Sequence, residues 1–316
     1  MRLVTYTARG RTSVGVVEGE WIFDISRGWV ELLRQRGVVD AEGRAQAECP
    51  PDLVLLLARD GLGRAAEVAA WVREEFARDG EGAVARGLAV RMSDPAVRLR
   101  APLLRPGKII CLGLNYADHA RETNSPIPQY PELFNKFANA LIGPGEPIVL
   151  PRVSQQVDYE AELAVVIGKV GRYIPEAQAL EHVAGYTILN DVSMRDFQFR
   201  GRQWMQGKTF DRSTPLGPWV VTADEIPDPQ GLEISCEVSG EVLQRSNTRE
   251  MIFDVAHVVA YISQIMTLEP GDVIATGTPA GVGFVREPKR LLRPGDVVRV
   301  TVEKIGTLEN PVVAEE

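Results

Sequence analysis

Cysteine is scarce. Cys49, Cys111 and Cys236 are three in 316 residues, far apart and odd in number. That argues against a disulfide framework and against a zinc site. Long apolar runs are missing as well, so no membrane span is expected, and the N-terminus carries no signal-peptide pattern. Basic stripes are absent. The formal net charge is −8, with acids and bases mixed along the chain, so nucleic acid is not expected as a partner. There is no solenoid repeat and no low-complexity tract. The G-x-x-x-x-G-K-[ST] pattern of a phosphate-cradling loop does not occur, which disfavours nucleotide binding. What remains is the apolar and charged balance of an ordinary globular protein, 45% and 25%, and a cytoplasmic enzyme is the expectation.

The length suits one large domain, or a large one with a small companion. Residues 1–104 read as a small α+β unit. Arg2 to Thr7, Ser13 to Val17 and Trp21 to Ile25 alternate like strands joined by tight turns. Helices are expected over Trp29 to Arg36, Pro51 to Arg59 and Leu62 to Arg78. The run Ala101-Pro102-Leu103-Leu104-Arg105-Pro106-Gly107 reads as a linker. From there the texture turns to short strands, with candidates at 108–112, 160–168, 184–190, 218–222, 232–239, 272–276 and 296–302. One helix, Phe253 to Met266, carries Val255, Val259, Ile262 and Met266 on one face. His257 lies off that stripe and is expected on the surface. Fold class is therefore α+β, predominantly β, over units 1–104 and 105–316.

The most informative stretch is Asp158-Tyr159-Glu160-Ala161-Glu162-Leu163-Ala164-Val165-Val166-Ile167-Gly168. Glu160 and Glu162 open an apolar strand, and side chains at i and i+2 of a strand share a face. Two acids so placed repel each other, and burying them unpaired is costly. A hard cation with oxygen ligands, Mg²⁺, Mn²⁺ or Ca²⁺, relieves both problems. Asp191 ends a second strand-like run, Gly185 to Asp191, where strands hand over to loops and sites are commonly built. Three carboxylates leave about half of an octahedral shell open for water or substrate.

Three further segments carry chemistry. In Gly113-Leu114-Asn115-Tyr116-Ala117-Asp118-His119-Ala120-Arg121-Glu122, His119 and Glu122 are one helical turn apart. A carboxylate beside an imidazole fixes its tautomer and supports a general base. Gly207-Lys208-Thr209 sets a lysine near the apolar Trp204 and Phe210, which suggests a partly enclosed ammonium group. Ala275 to Gly283 is a glycine-rich loop after a strand, and its amides with the Thr278 hydroxyl are candidates to hold a carboxylate. The segment Thr123 to Asn139, with Pro126, Pro128 and Pro131, reads as a loop able to order over a substrate. Its Tyr130, Phe134, Lys136 and Phe137 are expected to select that substrate.

The order of these pieces resembles the fumarylacetoacetate hydrolase family: G-x-N-Y-x-x-H-x-x-E, D-Y-E-x-E-L, N-D-x-S-x-R-D, G-K and G-T-P-x-G-V-G, over about 105–316. The resemblance implies a mixed β-roll or sandwich catalytic domain, a small N-terminal domain as in longer bacterial members, and a homodimer. It implies Mg²⁺ or Mn²⁺ on Glu160, Glu162 and Asp191, and a water-activating dyad of His119 and Glu122. It implies Lys208 near the oxo-acid end of the substrate. Asn115, Tyr116, Gln198, Gly277 and Thr278 match substrate-facing positions. Asn115 stands where some members carry an aspartate ligand.

The chemistry is coherent on its own terms. A 2-oxo acid chelates a divalent cation, which stabilises the enolate formed when a bond to C3 breaks. Lys208 adds positive charge there, and His119 draws a proton from water. One enolate serves three reactions. The reading placed first is C–C hydrolysis of an acylpyruvate or a fumarylacetoacetate-like acid. Oxaloacetate decarboxylation and isomerisation of the 2-hydroxyhepta-2,4-diene-1,7-dioate type are alternatives. A non-catalytic ligand-binding member is the reading outside enzymology.

Overall fold

The computed structural model describes every residue, Met1–Glu316. Its frame is a large mixed sheet. Across it run Ala89–Arg91, Trp21–Asp24, Arg11–Glu18, Arg2–Ala8, Thr214–Thr222, Val183–Asn190, Ala161–Ile167, Val273–Ala275, Ile109–Gly113 and Glu132–Lys136. Pairing is mostly antiparallel, but Val273–Ala275 lies parallel to Ile109–Gly113. A second sheet joins Glu241–Asn247, Glu233–Val238, Val297–Val302, Gly306–Ala314 and Ile148–Leu150.

The strand Ala161–Ile167 is buried at every position because both of its faces are covered. Leu163, Val165 and Ile167 point into a core shared with the second sheet and with the helix Val255–Ile265. Ala164 and Val166 point the other way, into a core that includes Trp29, Leu56 and Val68 of the N-terminal helices. Side-chain alternation on one strand thus ties three layers together. The register Arg2↔Val221 and Leu3↔Val220 carries the sheet across the boundary at residue 104.

Several elements differ from the expectations. The first helix runs Ile25–Gln35 rather than from Trp29, because Asp24 accepts from the Arg27 amide at 2.7 Å and so caps it four residues earlier. Two short helices, Ala41–Glu48 and Gly80–Arg86, escape the pattern because they bury little apolar surface. Aspartate caps, Asp40 and Asp79, start them. The segment 123–139 is not all loop. Glu132–Lys136 is an edge strand of the main sheet paired with Ile109–Gly113, and its polar content hides it.

Glycines matter where backbones touch the site's supports. A Cβ on Gly113 would lie 2.1 Å from the Trp204 ring, and one on Gly207 would lie 2.4 Å from the Gln198 amide nitrogen. Trp204 also meets Phe134 edge-on, at 5.7 Å between centroids. These contacts seat the short turn Trp204–Gly207 that delivers Lys208. Gly113→Ala is expected to destabilise the fold by about 1–3 kcal/mol through overpacking, read as a lower urea midpoint. An unchanged midpoint would mean that Trp204 moves aside freely.

Candidate active site

The site grows from one pairing. Ala161 sits opposite Asn190 and Glu162 opposite Leu189, which sets both glutamates beside Asp191 at the end of the neighbouring strand. Glu160, Glu162 and Asp191 are 6%, 1% and 0% exposed. Each offers a carboxylate oxygen, and those oxygens all lie within 4.8 Å of one another.

Buried cations surround the cluster. The Lys208 ammonium donates to Glu160 Oε2 at 2.7 Å and to Asp191 Oδ2 at 2.8 Å. Lys136 donates to Asp191 Oδ1 at 2.7 Å and to the Val192 carbonyl at 3.2 Å. Arg195 lies 2.6 Å from Glu160 Oε1 and donates to Asp158 Oδ2 through Nε and Nη2. Asp158 in turn accepts from the Gly283 and Phe284 amides at 2.8 and 3.0 Å. The two-residue bridge Val157–Asp158 against Ser193–Met194 brings Asp158 and Arg195 together.

Burial works to raise the Glu160 pKa, but the Lys208 and Arg195 charges outweigh it and hold the carboxyl below its usual range. Glu162 goes the other way. Burial, then the Asp191 and Glu160 charges, push it well above that range. The contrast has a simple cause: Glu160 has two cations in contact, whereas Glu162 Oε2 has only the Gly277 amide at 2.8 Å. The buried group holds four acids (Asp158, Glu160, Glu162, Asp191) and three bases (Lys136, Arg195, Lys208), a formal excess of one acid (4 − 3) that falls on Glu162. A divalent cation beside Glu162 fits that donor set, with oxygen ligands throughout.

The dyad stands on the short helix Ala117–Glu122. His119 Nδ1 lies 3.0 Å from Glu122 Oε2, and Glu122 Oε1 accepts from the Gly281 amide at 2.9 Å. With Nδ1 protonated toward Glu122, Nε2 is left as the acceptor.

Other expected residues are placed differently. Both amide hydrogens of Asn115 are used, on the Phe253 and Thr276 carbonyls at 3.0 and 2.8 Å, while its Oδ1 accepts from the Phe253 amide. Asn115 therefore clips backbone segments together. Tyr116 is fully buried, with a hydroxyl that has no partner. The Gly277 amide does hold a carboxylate, but it is that of Glu162. Gln198 Oε1 accepts from Arg195 at 2.9 Å, and Thr278 Oγ1 accepts from Gln244 at 2.8 Å. Lys136, expected on a loop selecting substrate, is instead buried against Asp191. Sequence patterns do not single out Asp158, Arg195 and Gln244. The first two stand in plain view within D-Y-E-x-E and R-D, but only the fold reveals their pairing.

The family resemblance rests on this geometry and on direct comparison. The fumarylacetoacetate (FAA) hydrolase C-terminal family matches residues 108–313. The chain belongs to the fumarylacetoacetate hydrolase family. It is 49% identical over 247 residues to the Bos taurus protein named oxaloacetate tautomerase FAHD2A, mitochondrial, covering 76% of this chain and 79% of that protein. The structure resembles a fumarylacetoacetate hydrolase from Exiguobacterium antarcticum with a TM-score of 0.78 and 36% identity, over 100% of both chains. It also resembles maleylpyruvate hydrolase from Sphingobium sp. SYK-6, solved with manganese(II) and pyruvate, with a TM-score of 0.71 and 30% identity over 100% of both chains. The α+β, mostly β fold is that of the family. No helix is long and apolar enough to cross a membrane.

Proposed function

We propose that this family member is a Mg²⁺- or Mn²⁺-dependent enzyme that interconverts the keto and enol forms of a 2-oxo acid, with oxaloacetate as the first substrate to test. The observation that carries the reading is the buried triad Glu160, Glu162 and Asp191, in a cluster with one more acid than base, set beside Lys208 and the His119–Glu122 pair. The bovine relative's name, oxaloacetate tautomerase, supports this choice of reaction. A divalent cation on the triad would supply Lewis-acid stabilisation for negative charge building on the keto oxygen. Lys208 brings a fixed positive charge to the same side, where it needs no reorganisation during reaction. His119 Nε2 takes the proton from C3 as the C–H electron pair moves toward C2 and its oxygen. Glu122 holds the ring in the tautomer that can accept it. Return of that same proton from the His119 imidazolium to the C2 oxygen completes the enol and restores the base.

Hydrolytic C–C cleavage of an acylpyruvate is the second reading. The dyad favours it, because the same Nε2 can take a proton from water. A homodimer is part of the proposal too. The main sheet ends in the edge strand Glu132–Lys136, and exposed edges call for cover. Light scattering at micromolar concentration should give twice the chain mass, and a monomer mass would refute the dimer.

The deciding experiment titrates chelator-treated protein with Mn²⁺ by calorimetry. It then follows oxaloacetate enol by ultraviolet absorbance and acetylpyruvate cleavage by pyruvate release. One Mn²⁺ per chain and metal-dependent conversion of at least one acid are expected. Saturable activity without metal, or no Mn²⁺ binding, would sink the reading.

A further inference from the structure

His119 stands on a helix of six residues, Ala117–Glu122, far shorter than the roughly 12–15 residues that a helix needs to persist alone in water. The chain beyond it gives little support. Residues 125–131 contain no helix or strand, and Ile127 and Tyr130 are exposed. The pose of the imidazole therefore depends on what ties this helix to its neighbours: the Asn115 contacts and the Tyr116–Met251 bridge just before it, and the side chains along it.

Asp118 makes the central tie. Its Oδ2 accepts from the Ser246 hydroxyl at 2.5 Å, across to the strand Glu241–Asn247. Its Oδ1 accepts from the His119 amide at 2.7 Å and from the Ala280 amide at 3.4 Å. One carboxylate thus joins the helix, the second sheet and the glycine-rich loop. Glu122 makes a second contact to that loop through Gly281, but Glu122 also serves the imidazole directly. The only other side-chain link from this helix to a distant segment is the outward pair Arg121–Glu250, at 3.2 Å and largely exposed, and such pairs contribute little.

We infer that Asp118 is a positioning residue: its carboxylate locks the His119 helix against Ser246 and the 278–281 loop, in the pose that aims the imidazole at the reacting carbon or water. The inference rests on the proposed function for its chemistry, but its structural half is measured independently of turnover. A misplacement of about 1 Å at a catalytic group costs on the order of 10²-fold in rate. Asp118 contacts neither the triad nor Lys208 among its hydrogen-bond partners, so metal affinity should be spared.

The test uses full-length, Mn²⁺-loaded protein as wild type, Asp118→Ala, Asp118→Asn and Ser246→Ala. Hydrogen exchange over residues 117–123, kcat, KM and Mn²⁺ affinity are measured for each. For Asp118→Ala, exchange in that segment should accelerate at least about tenfold and kcat should fall about 10²-fold, with KM and Mn²⁺ affinity nearly unchanged. Asp118→Asn keeps the Oδ1 acceptor and should recover most of kcat. Ser246→Ala removes one anchor and should fall between wild type and Asp118→Ala. Should Asp118→Ala fail to fold, Asp118→Asn and Ser246→Ala still decide, since slower turnover with faster local exchange in Ser246→Ala supports the lock. Unchanged exchange and kcat in Asp118→Ala would overturn it, and so would loss of Mn²⁺ or failure of Asp118→Asn to rescue. If wild type turns over no 2-oxo acid, the functional reading falls, while the exchange data still report whether Asp118 holds the helix.

Discussion

Asp191→Asn should lose measurable Mn²⁺ binding and every 2-oxo-acid activity together. The substitution preserves shape but removes the negative charge that Lys136 and Lys208 contact at 2.7 and 2.8 Å. The triad then keeps only Glu160 and Glu162, and Glu160 is already bound to Arg195 and Lys208. The local charge also loses its negative excess, so a divalent cation no longer meets the attraction that drew it in. Lys136 loses its only salt-bridge partner while fully buried, and breaking a buried pair typically destabilises by about 3–5 kcal/mol. The measurements are calorimetric Mn²⁺ titration, enol absorbance, pyruvate release and a urea melt. Retained activity with lost metal would show that the triad serves structure alone. Retained metal would show that Asp191 is not a ligand.

The triad and Lys208 are legible in the sequence as members of this cluster, and Asp158, Lys136 and Arg195 are not. Glu160 and Glu162 stand out because strand periodicity alone puts i and i+2 on one face, and the apolar run after them marks a buried strand. Asp191 is legible as the end of a second strand, and the dyad as a pair at helical spacing. Lys136 is a lysine in a polar segment, a type usually solvated, and its burial depends on Glu132–Lys136 pairing with Ile109–Gly113. Arg195 and Asp158 meet across 37 positions of sequence through a bridge too short to announce itself. Gly277 adopts a positive φ of 93° that glycine tolerates, and its amide donates to the chain's own Glu162. Asn115 enters as a site residue only through the family resemblance, and its amide is engaged by backbone groups over a hundred residues away.

His119→Ala should separate the reactions that the triad alone cannot tell apart. Decarboxylation of oxaloacetate needs charge stabilisation at the keto oxygen but no attacking water, since carbon dioxide leaves with its own bond cleavage. Acylpyruvate hydrolysis needs a base to draw a proton from water, and enolisation needs one to take the C3 proton. Removing the imidazole should therefore lower hydrolysis and tautomerisation by about 10²–10⁴-fold, the usual contribution of a positioned general base, and leave any decarboxylation much less affected. Metal content should not change. His119 is hydrogen-bonded to Glu122 and is not one of the three residues whose carboxylate oxygens gather within 4.8 Å. Glu122→Gln should act in the same direction with a smaller loss, because it keeps an acceptor for Nδ1 but removes the charge that stabilises the imidazolium. Each variant is assayed for metal by elemental analysis and for all three reactions at saturating Mn²⁺. Full hydrolysis by His119→Ala would place the base elsewhere. Parallel loss of decarboxylation would mean that the helix carrying His119 also shapes the binding of the oxo acid, and a drop in bound metal would make His119 part of the cation's surroundings after all.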